Sequence, residues 1–203
     1  LVAPQDIAAV AYCEDLDIQE YNVVTVRTRE PFVLGAAERN FFASSSCGIC
    51  GKAALEAIQV RCEPVTRPAT VDSVTLLRLP ELMREGQRLF GRTGGLHAAG
   101  LFTTTGDLLV LREDVGRHNA VDKLIGAGVL GNRAAGGDVL LVSGRLSFEI
   151  VQKNAVAGFP IICAVSAPSS LAVQVADALG ITVVGFLRAD GFNVYTGAGR
   201  IRS

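Results

Sequence analysis

Three short apolar runs in the C-terminal third constrain the fold of this chain more than any other feature. They are DVLLVSG (138–144), PIICAVSA (160–167) and ITVVGFLR (181–188). Segments with helical patterning, each about a dozen residues long, separate one run from the next. Strands that are apolar on both faces and alternate with helices indicate βαβ units. The sequence therefore predicts a parallel sheet that is covered by helices on both sides.

An earlier segment predicts that this sheet is mixed. Residues 97–114, HAAGLFTTTGDLLVLRED, contain two apolar runs around a Thr-rich turn at Gly106-Asp107, which is typical of a β-hairpin. Residues 21–28 alternate around Val24 and Val26 and indicate a further strand.

Helical patterns complete the prediction of secondary structure. In residues 79–90, LPELMREGQRLF, the apolar side chains recur at helical spacing, and Pro80 falls near the first turn of that helix. The remaining predicted helices cover 51–60, 116–130, 147–159 and 169–180. With no internal repeat or linker, we expect one three-layer α/β domain with a mixed sheet over residues 1–203.

The composition excludes several classes of function. With 19 basic and 20 acidic residues the net charge is −1, so no strong field favours nucleic acid or an anionic membrane. No apolar run approaches the ~18 residues that span a bilayer. Five cysteines without a secretory pattern indicate a reducing compartment and not a disulfide framework. Because no Met begins the chain, we expect a processed or trimmed product.

Cys47 and Cys50 form a CxxC pair in the stretch SSSCGICGKAAL. A helix that begins here would place Cys47 at its positive end, and Lys52 adds a further positive charge. Both effects favour the thiolate form of Cys47, which is the reactive form. Structural zinc needs about four ligands, and no second close pair accompanies these two. From the residues alone, a metal clip, a dithiol redox switch, a sulfur carrier and a helix-opening turn all stay open. Cys163, by contrast, lies in an apolar run and is expected in the core.

Polar residues follow each of the predicted parallel strands. Arg145 comes directly after the first of them, Ser166 after the second, and Arg188 at the end of the third. Arg117 and His118 follow Gly116 in the first turn of another helix, where anions bind favourably. Ligands of open α/β sheets bind at the carboxyl ends of strands, so these residues predict one polar rim for a phosphate-rich ligand.

Two further features have plainer explanations. Ser147 precedes a predicted helix and is expected to cap it. The glycines of GRTGGLH (91–97) suit an anion-binding loop, but a simple turn into the hairpin is the favoured interpretation.

Five sequence blocks in this chain resemble those of a known family, and they occur in the same order. The blocks are SSCGICGK, GRTGGLHAAGLF, EDVGRHNAVDKLIG, SGRLSFEIVQK and GFLRADGFNVYTG. They are similar to those of the formate dehydrogenase accessory sulfurtransferases, the FdhD-type proteins. The resemblance covers the chain from about Arg39 to the C-terminus, and five ordered blocks are far more specific than a lone CxxC. It implies that residues 1–38 are the remnant of a longer N-terminal portion.

The resemblance implies a cytidine-deaminase-like α/β fold, a cytoplasmic homodimer and an enzyme. Such a sulfurtransferase takes persulfide sulfur from a cysteine desulfurase and passes it to the bis-molybdopterin guanine dinucleotide molybdenum cofactor, as formate dehydrogenase requires. Cys47 matches the persulfide-carrying cysteine and Cys50 the second of the pair. The matching cofactor-binding stretch consists of Phe186, Leu187, Arg188, Ala189, Asp190 and Gly191. The His-x-Glu signature of zinc deaminases is not present, which argues against deamination.

The sequence hypothesis is therefore a persulfide relay with the molybdenum cofactor as bound substrate and no structural metal. Arg117, Arg145 and Arg188 are expected to hold its phosphates, and His118 to orient or protonate a cofactor group. The alternative is a non-catalytic molybdenum-cofactor chaperone whose CxxC is structural, held by zinc or as a disulfide. A dithiol oxidoreductase is a third class.

Overall fold

The computed structural model describes residues 4–12, 24–31, 63–131 and 137–203. The chain divides into two compact units, Leu1–Gly48 and Ile49–Ser203. Within the first, β1 (Ile7–Tyr12) pairs with β2 (Val24–Thr28) in antiparallel register. The strand predicted at residues 21–28 is thus confirmed from Val24 onward. The helix predicted for residues 51–60 lies outside the described residues, and the single domain over 1–203 stays a prediction.

A six-stranded mixed sheet organises the second unit. Its strand order is β5-β4-β6-β7-β8-β9. The central strands β6, β7 and β8 are parallel to one another, whereas β4, β5 and β9 run antiparallel to their neighbours. The strands of this sheet are β4 (His97–Phe102), β5 (Leu108–Asp114), β6 (Val139–Val142), β7 (Ile161–Ala164), β8 (Thr182–Arg188) and β9 (Gly191–Thr196). A short separate pair, β3 (Val71–Asp72) with β10 (Ile201–Arg202), is parallel.

Five helices accompany these strands in the described part of the second unit. They are α1 (Ser73–Gly86), α2 (Arg88–Thr93), α3 (Arg117–Gly131), α4 (Phe148–Ala157) and α5 (Ser170–Ala178). None of the helices in the described residues is both long and apolar enough to cross a membrane.

Successive side chains of the parallel strands point alternately into two separate hydrophobic cores. Leu140 and Ile162 point to the core shared with α3, α4 and α5. Leu141 and Cys163 point to the core shared with α1. All four side chains are fully buried, which is why these runs are apolar without alternation. The mixed α/β sheet is thus confirmed, while the likeness to the cytidine-deaminase fold stays a prediction.

The helix predicted for residues 79–90 is wrong in its bounds. Helix α1 begins at Ser73 instead, so Pro80 lies inside it, and the helical run is interrupted at Gln87 before α2. The buried side chains of α1 are Leu76, Leu79 and Met83. Their spacing of three and four residues defines one apolar face, and its burial outweighs the backbone hydrogen bond that Pro80 cannot donate.

The hairpin, the three parallel strands and the helices α3, α4 and α5 confirm the sequence pattern, whereas the strands β3, β9 and β10 were not predicted. The hairpin turns between β4 and β5, and Gly106 there has a φ of +93°, which glycine adopts without strain. Strand β9 was missed because its residues GFNVYT (191–196) were taken as part of the polar rim. Strand β1 was also missed.

Candidate functional site

One edge of the six-stranded sheet gathers the predicted polar residues of the second unit. Strands β6, β7 and β8 end there because they are parallel. Strand β4 runs the opposite way and begins there with His97, and β5 ends there with Asp114. We call this side of the sheet the carboxyl edge. The topology therefore brings Arg117, His118, Arg145 and residues 186–191 to the same edge, although they are far apart in sequence.

Hydrogen bonds between neighbouring loops support the carboxyl edge. The amide of Leu146 donates to the carbonyl of Ala167 at 3.1 Å, and that of Ser169 donates back to Leu146 at 2.9 Å. Next to them, the amide of Phe186 donates to the carbonyl of Ser166 at 3.2 Å. The segments that follow β6, β7 and β8 are thus fastened to one another, which limits the movement of the side chains they carry.

Asp114 organises the start of α3, where Arg117 and His118 occupy the first turn as the sequence predicts. Its Oδ1 accepts hydrogen bonds from the Gly116 amide at 2.8 Å and the Asn119 side chain at 3.1 Å. Its Oδ2 forms an ion pair with Lys123 at 2.5 Å. The pKa of this carboxyl group is lowered, mainly by the contact with Lys123 and next by the hydrogen bond from the Gly116 amide.

Replacing Asp114 with alanine is expected to destabilise the protein. The lost bonds to Gly116 and Asn119 predict a decrease of about 1–2 kcal/mol in the free energy of unfolding, measured with urea. Since the folded-state pKa is lowered, this stabilisation is present above the unfolded pKa and is lost as the pH falls through the folded value. Asp177→Ala, at an exposed carboxyl on α5, is the matched control. Equal stability of the two variants would contradict the role given to Asp114.

His118 lies in a small cluster of polar side chains between α3 and α4. Its Nε2 is 3.0 Å from the Ser147 Oγ and 3.3 Å from the Glu149 Oε2. Burial is the largest effect and lowers the pKa of His118, whereas the Glu149 carboxylate opposes it. The lowered pKa favours the neutral form of the imidazole. Ser147 does occupy the N-cap position of α4, but its side chain makes no cap hydrogen bond, so the predicted capping role is wrong. Its hydroxyl lies against His118 instead.

Removing the charge of Glu149 should lower the pKa of His118 further. In Glu149→Gln, the opposing carboxylate is lost while the burial of the imidazole remains. A titration of the imidazole resonances by NMR measures this directly, and the chain has only two histidines to assign. Glu85→Gln, on the exposed part of α1, should leave the pKa unchanged. An unchanged or raised pKa in Glu149→Gln would contradict the described cluster.

The arginines of the carboxyl edge differ in exposure. Arg145 and Arg188 are exposed, whereas Arg117 is half-buried and its Nε has no hydrogen-bond partner within the described residues. Gly144 lies between Arg117 and His97. A methyl group on Gly144 would stand 3.3 Å from the His97 Nδ1 and 3.4 Å from the Arg117 Cδ. Glycine at this position therefore leaves room for the side chains of both His97 and Arg117.

The predicted cofactor-binding stretch, residues 186–191, forms the end of β8, a tight turn and the start of β9. Phe186 has a φ of +53°, in the left-handed region that non-glycine residues seldom adopt. The pairing of β8 with β9 shifts register between Gly185 and Arg188, and Phe186 is 41% exposed. Leu187 is fully buried and packs in the core. The stretch thus displays the phenylalanine, Arg188, Ala189 and Asp190, and anchors itself through Leu187.

The Gly94-Gly95 segment is a turn, as the sequence analysis favoured. Gly94 has a φ of +68° and ends α2, donating its amide to the Phe90 carbonyl at 2.8 Å. The Gly95 amide donates to the Thr93 Oγ1 at 3.4 Å. Both amides are used within the turn, so they are not available to an anion.

The cysteine predictions have different outcomes. Cys47 and Cys50 lie outside the described residues. Cys163 is fully buried in β7, and this burial raises its pKa well above the usual value, so its predicted place in the core is confirmed. Across 4–12, 24–31, 63–131 and 137–203, no group of three or more His, Cys, Asp or Glu side chains is arranged to hold a metal. The expectation of no structural metal stays a prediction.

Sequence reasoning missed Glu149 and the contact of Ser147 with His118. His118 lies on α3, whereas Glu149 lies on α4 and Ser147 directly precedes that helix. Ser147 and His118 are 29 positions apart in the sequence. A local pattern cannot show such a contact, because it depends on how α3 and α4 pack over the sheet. The one available signal was the position of Glu149 in the first turn of α4.

The fold and this edge define a mixed α/β protein with a polar, arginine-bearing edge on its sheet. The chain belongs to the FdhD/NarQ family, whose model matches residues 1–202. The resemblance found in the five sequence blocks is thereby confirmed.

Known proteins similar to this chain carry consistent names. It is 50% identical to the "Sulfur carrier protein FdhD" of Mycolicibacterium paratuberculosis, with 98% of this chain and 76% of that protein covered. It is 48% identical to the protein of the same name from Streptomyces coelicolor, with 99% and 74% covered. A crystal structure assigned to a formate dehydrogenase accessory protein from Desulfotalea psychrophila matches with a TM-score of 0.74 at 26% identity, covering 98% of this chain and 72% of that one.

Proposed function

We propose that this protein is a sulfurtransferase that carries sulfur for the maturation of formate dehydrogenase. It takes persulfide sulfur from a cysteine desulfurase and delivers it to the bis-molybdopterin guanine dinucleotide molybdenum cofactor. The names of relatives at about half identity support the sulfur-carrying role. The observation that carries the choice of substrate is the convergence of Arg117, Arg145 and residues 186–191 on the carboxyl edge.

Cys47 supplies the nucleophile in this proposal. Its thiolate attacks the outer sulfur of the donor persulfide, an S–S bond forms on Cys47, and the donor cysteine leaves as a thiolate. Cys50 then attacks the inner sulfur of the Cys47 persulfide, which forms a disulfide and releases the outer sulfur as sulfide to the molybdenum. A cellular thiol reductant returns the disulfide to the dithiol. Each transfer is favoured by a low thiol pKa, which the predicted helix start and the positive charge of Lys52 would produce.

The carboxyl edge binds the substrate in this scheme. Guanidinium groups bind phosphate oxygens through two parallel hydrogen bonds, and Arg145 and Arg188 are exposed at the carboxyl edge. Arg117 adds a partly buried guanidinium whose Nε has no partner in the described residues. Burial lowers the pKa of His118 and favours a neutral imidazole, which can donate to or accept from a bound group. The cytoplasmic setting and the homodimer belong to the same proposal.

Sulfur loading tests this function directly. The purified protein is incubated with a cysteine desulfurase and cysteine, and intact-mass spectrometry is used to follow the chain. We expect a gain of one sulfur atom per chain that a thiol reductant removes. Stoichiometric zinc in the purified protein, with both CxxC thiols blocked, would instead favour the cofactor chaperone. A reversible Cys47–Cys50 disulfide with turnover but no persulfide would favour a dithiol oxidoreductase.

A further inference from the structure

One carboxylate oxygen of Glu149 is buried without a hydrogen-bond donor. Its Oε2 has no hydrogen-bond partner among the described residues. The His118 Nε2 lies 3.3 Å from this oxygen, and the same nitrogen lies 3.0 Å from the Ser147 Oγ. A buried acceptor that receives no hydrogen bond is costly, so its surroundings are expected to offer it a proton. The ring nitrogen Nε2 of His118 is placed to do this.

The Glu149 carboxylate selects one of the two neutral forms of His118. A neutral imidazole has one N–H, which is on either Nδ1 or Nε2. If the hydrogen is on Nε2, it points toward the oxygens of Ser147 and Glu149 and lessens the cost of burying the carboxylate. If it is on Nδ1, the lone pair of Nε2 faces the carboxylate oxygen and repels it. The carboxylate therefore favours the hydrogen on Nε2.

The other ring nitrogen of His118, Nδ1, is then an open acceptor. The hydrogen-bonding contacts of this side chain within the described residues all involve Nε2. The side chain is 26% exposed, and Nδ1 is not a buried atom, so a bound group can reach it. Since His118 lies in the first turn of α3, this acceptor belongs to the carboxyl edge.

We propose that Glu149 is a positioning residue that keeps the hydrogen of neutral His118 on Nε2, so that Nδ1 accepts a proton during sulfur delivery. The proton-accepting step rests on the proposed function. In that scheme the outer persulfide sulfur leaves as hydrosulfide, HS⁻, whereas the sulfido ligand of the substrate is S²⁻. The H–S bond breaks with its electron pair left on sulfur, and an N–H bond forms on Nδ1. No oxidation or reduction occurs in this step, and the imidazolium then releases its proton to water.

The charges around His118 show why Glu149 is suited to this role. Burial has the largest effect and lowers the pKa of His118. The nearby cations Arg117 and Lys153 lower it further, and the carboxylates Glu149 and Asp122 raise it. Asp122 forms an ion pair with Lys153 at 2.6 Å, so much of its charge is compensated. Glu149 therefore provides the carboxylate that stabilises the imidazolium once Nδ1 has taken up a proton.

Nitrogen-15 NMR of the histidine side chains in the full chain measures the position of the hydrogen. At a pH well above the pKa of His118, we expect the wild type to carry it on Nε2. In Glu149→Gln, the side-chain amide can donate to Nε2, so part of the population should move its hydrogen to Nδ1. Asp122→Asn is the matched control, because it removes a carboxylate that raises the same pKa without contacting the ring, and it should keep the hydrogen on Nε2.

His118→Gln tests proton acceptance separately from positioning. A glutamine amide can still donate to Ser147 or Glu149, but it offers no base. Sulfur delivery to formate dehydrogenase that lacks its sulfido ligand should slow by roughly 100-fold or more. The wild-type rate should fall as the pH drops through the pKa of His118, and this dependence should be lost in the variant. Persulfide loading precedes the step and should be unchanged in His118→Gln and Glu149→Gln.

Several results would overturn this assignment. A hydrogen on Nδ1 in the wild type, or equal tautomer populations in Glu149→Gln and Asp122→Asn, would show that Glu149 does not position the ring. Delivery by His118→Gln at the wild-type rate and with the wild-type pH dependence would refute proton acceptance by Nδ1. If the wild type loads no persulfide, the proposed function fails and the proton-accepting step fails with it, whereas NMR still decides the positioning by Glu149.

Discussion

Cys47→Ala is expected to abolish both sulfur loading and the maturation of formate dehydrogenase. Without the thiolate at this position, no S–S bond can form to the donor's outer sulfur, and the relay ends before its first step. Cys50 remains, but in the proposed order it attacks only a persulfide that has already formed on Cys47. Intact-mass spectrometry after incubation with the desulfurase measures loading, and formate oxidation in cells that lack a working copy of this protein measures maturation.

Cys163→Ala is the matched control for that experiment. The Cys163 thiol is fully buried and burial raises its pKa, so it provides no thiolate to a persulfide donor. We expect this variant to load sulfur like the wild type, provided that its unfolding transition shows a folded protein. Normal loading and normal maturation in Cys47→Ala would contradict the assignment of the nucleophile.

Charge reversal at Arg145 should weaken substrate binding by roughly tenfold or more, since a charge-assisted bond is lost and a repulsion is added. Arg145 is exposed at the end of β6, so the replacement disturbs no buried packing. The affinity of Arg145→Glu for guanosine diphosphate, which carries the phosphates of the proposed substrate, is measured by calorimetry at fixed ionic strength. The dependence of affinity on salt should also become shallower, because one phosphate contact is missing.

Arg78→Glu controls for the change in net charge. Arg78 is exposed on α1 beside the turn of the β4–β5 hairpin, at the opposite end of these strands. We expect this variant to bind guanosine diphosphate as the wild type does. If both charge reversals weaken binding equally, the effect belongs to the overall charge of the protein and not to the carboxyl edge.

The parallel strands at the centre of the sheet could be predicted from the sequence, because a strand that is buried on both faces is apolar at every position. Leu140 and Leu141 face opposite cores, so both must be apolar, and the same holds along β7. The extent of α1 could not be predicted as readily. A proline such as Pro80 is typical of the first turn of a helix. Only the burial of Leu76 and Leu79, which precede it, shows that the helix begins earlier.

The candidate site was predictable where strand ends carry its residues and unpredictable where helices bring them together. Arg145 and residues 186–191 follow strands, and parallel strands end at one edge. The contact of His118 with Glu149 depends on how α3 and α4 pack. The break between α1 and α2 at Gln87 also went unpredicted, because the sequence pattern indicated one continuous helix.

Transfer of labelled sulfur tests the central claim most directly. The protein is loaded with ³⁵S-labelled persulfide, freed of desulfurase and mixed with formate dehydrogenase whose molybdenum cofactor lacks its sulfido ligand. The account predicts that label leaves the protein, appears on the cofactor, and restores formate oxidation in proportion to the sulfur transferred. Restoration of activity while all of the label stays on the protein would contradict it.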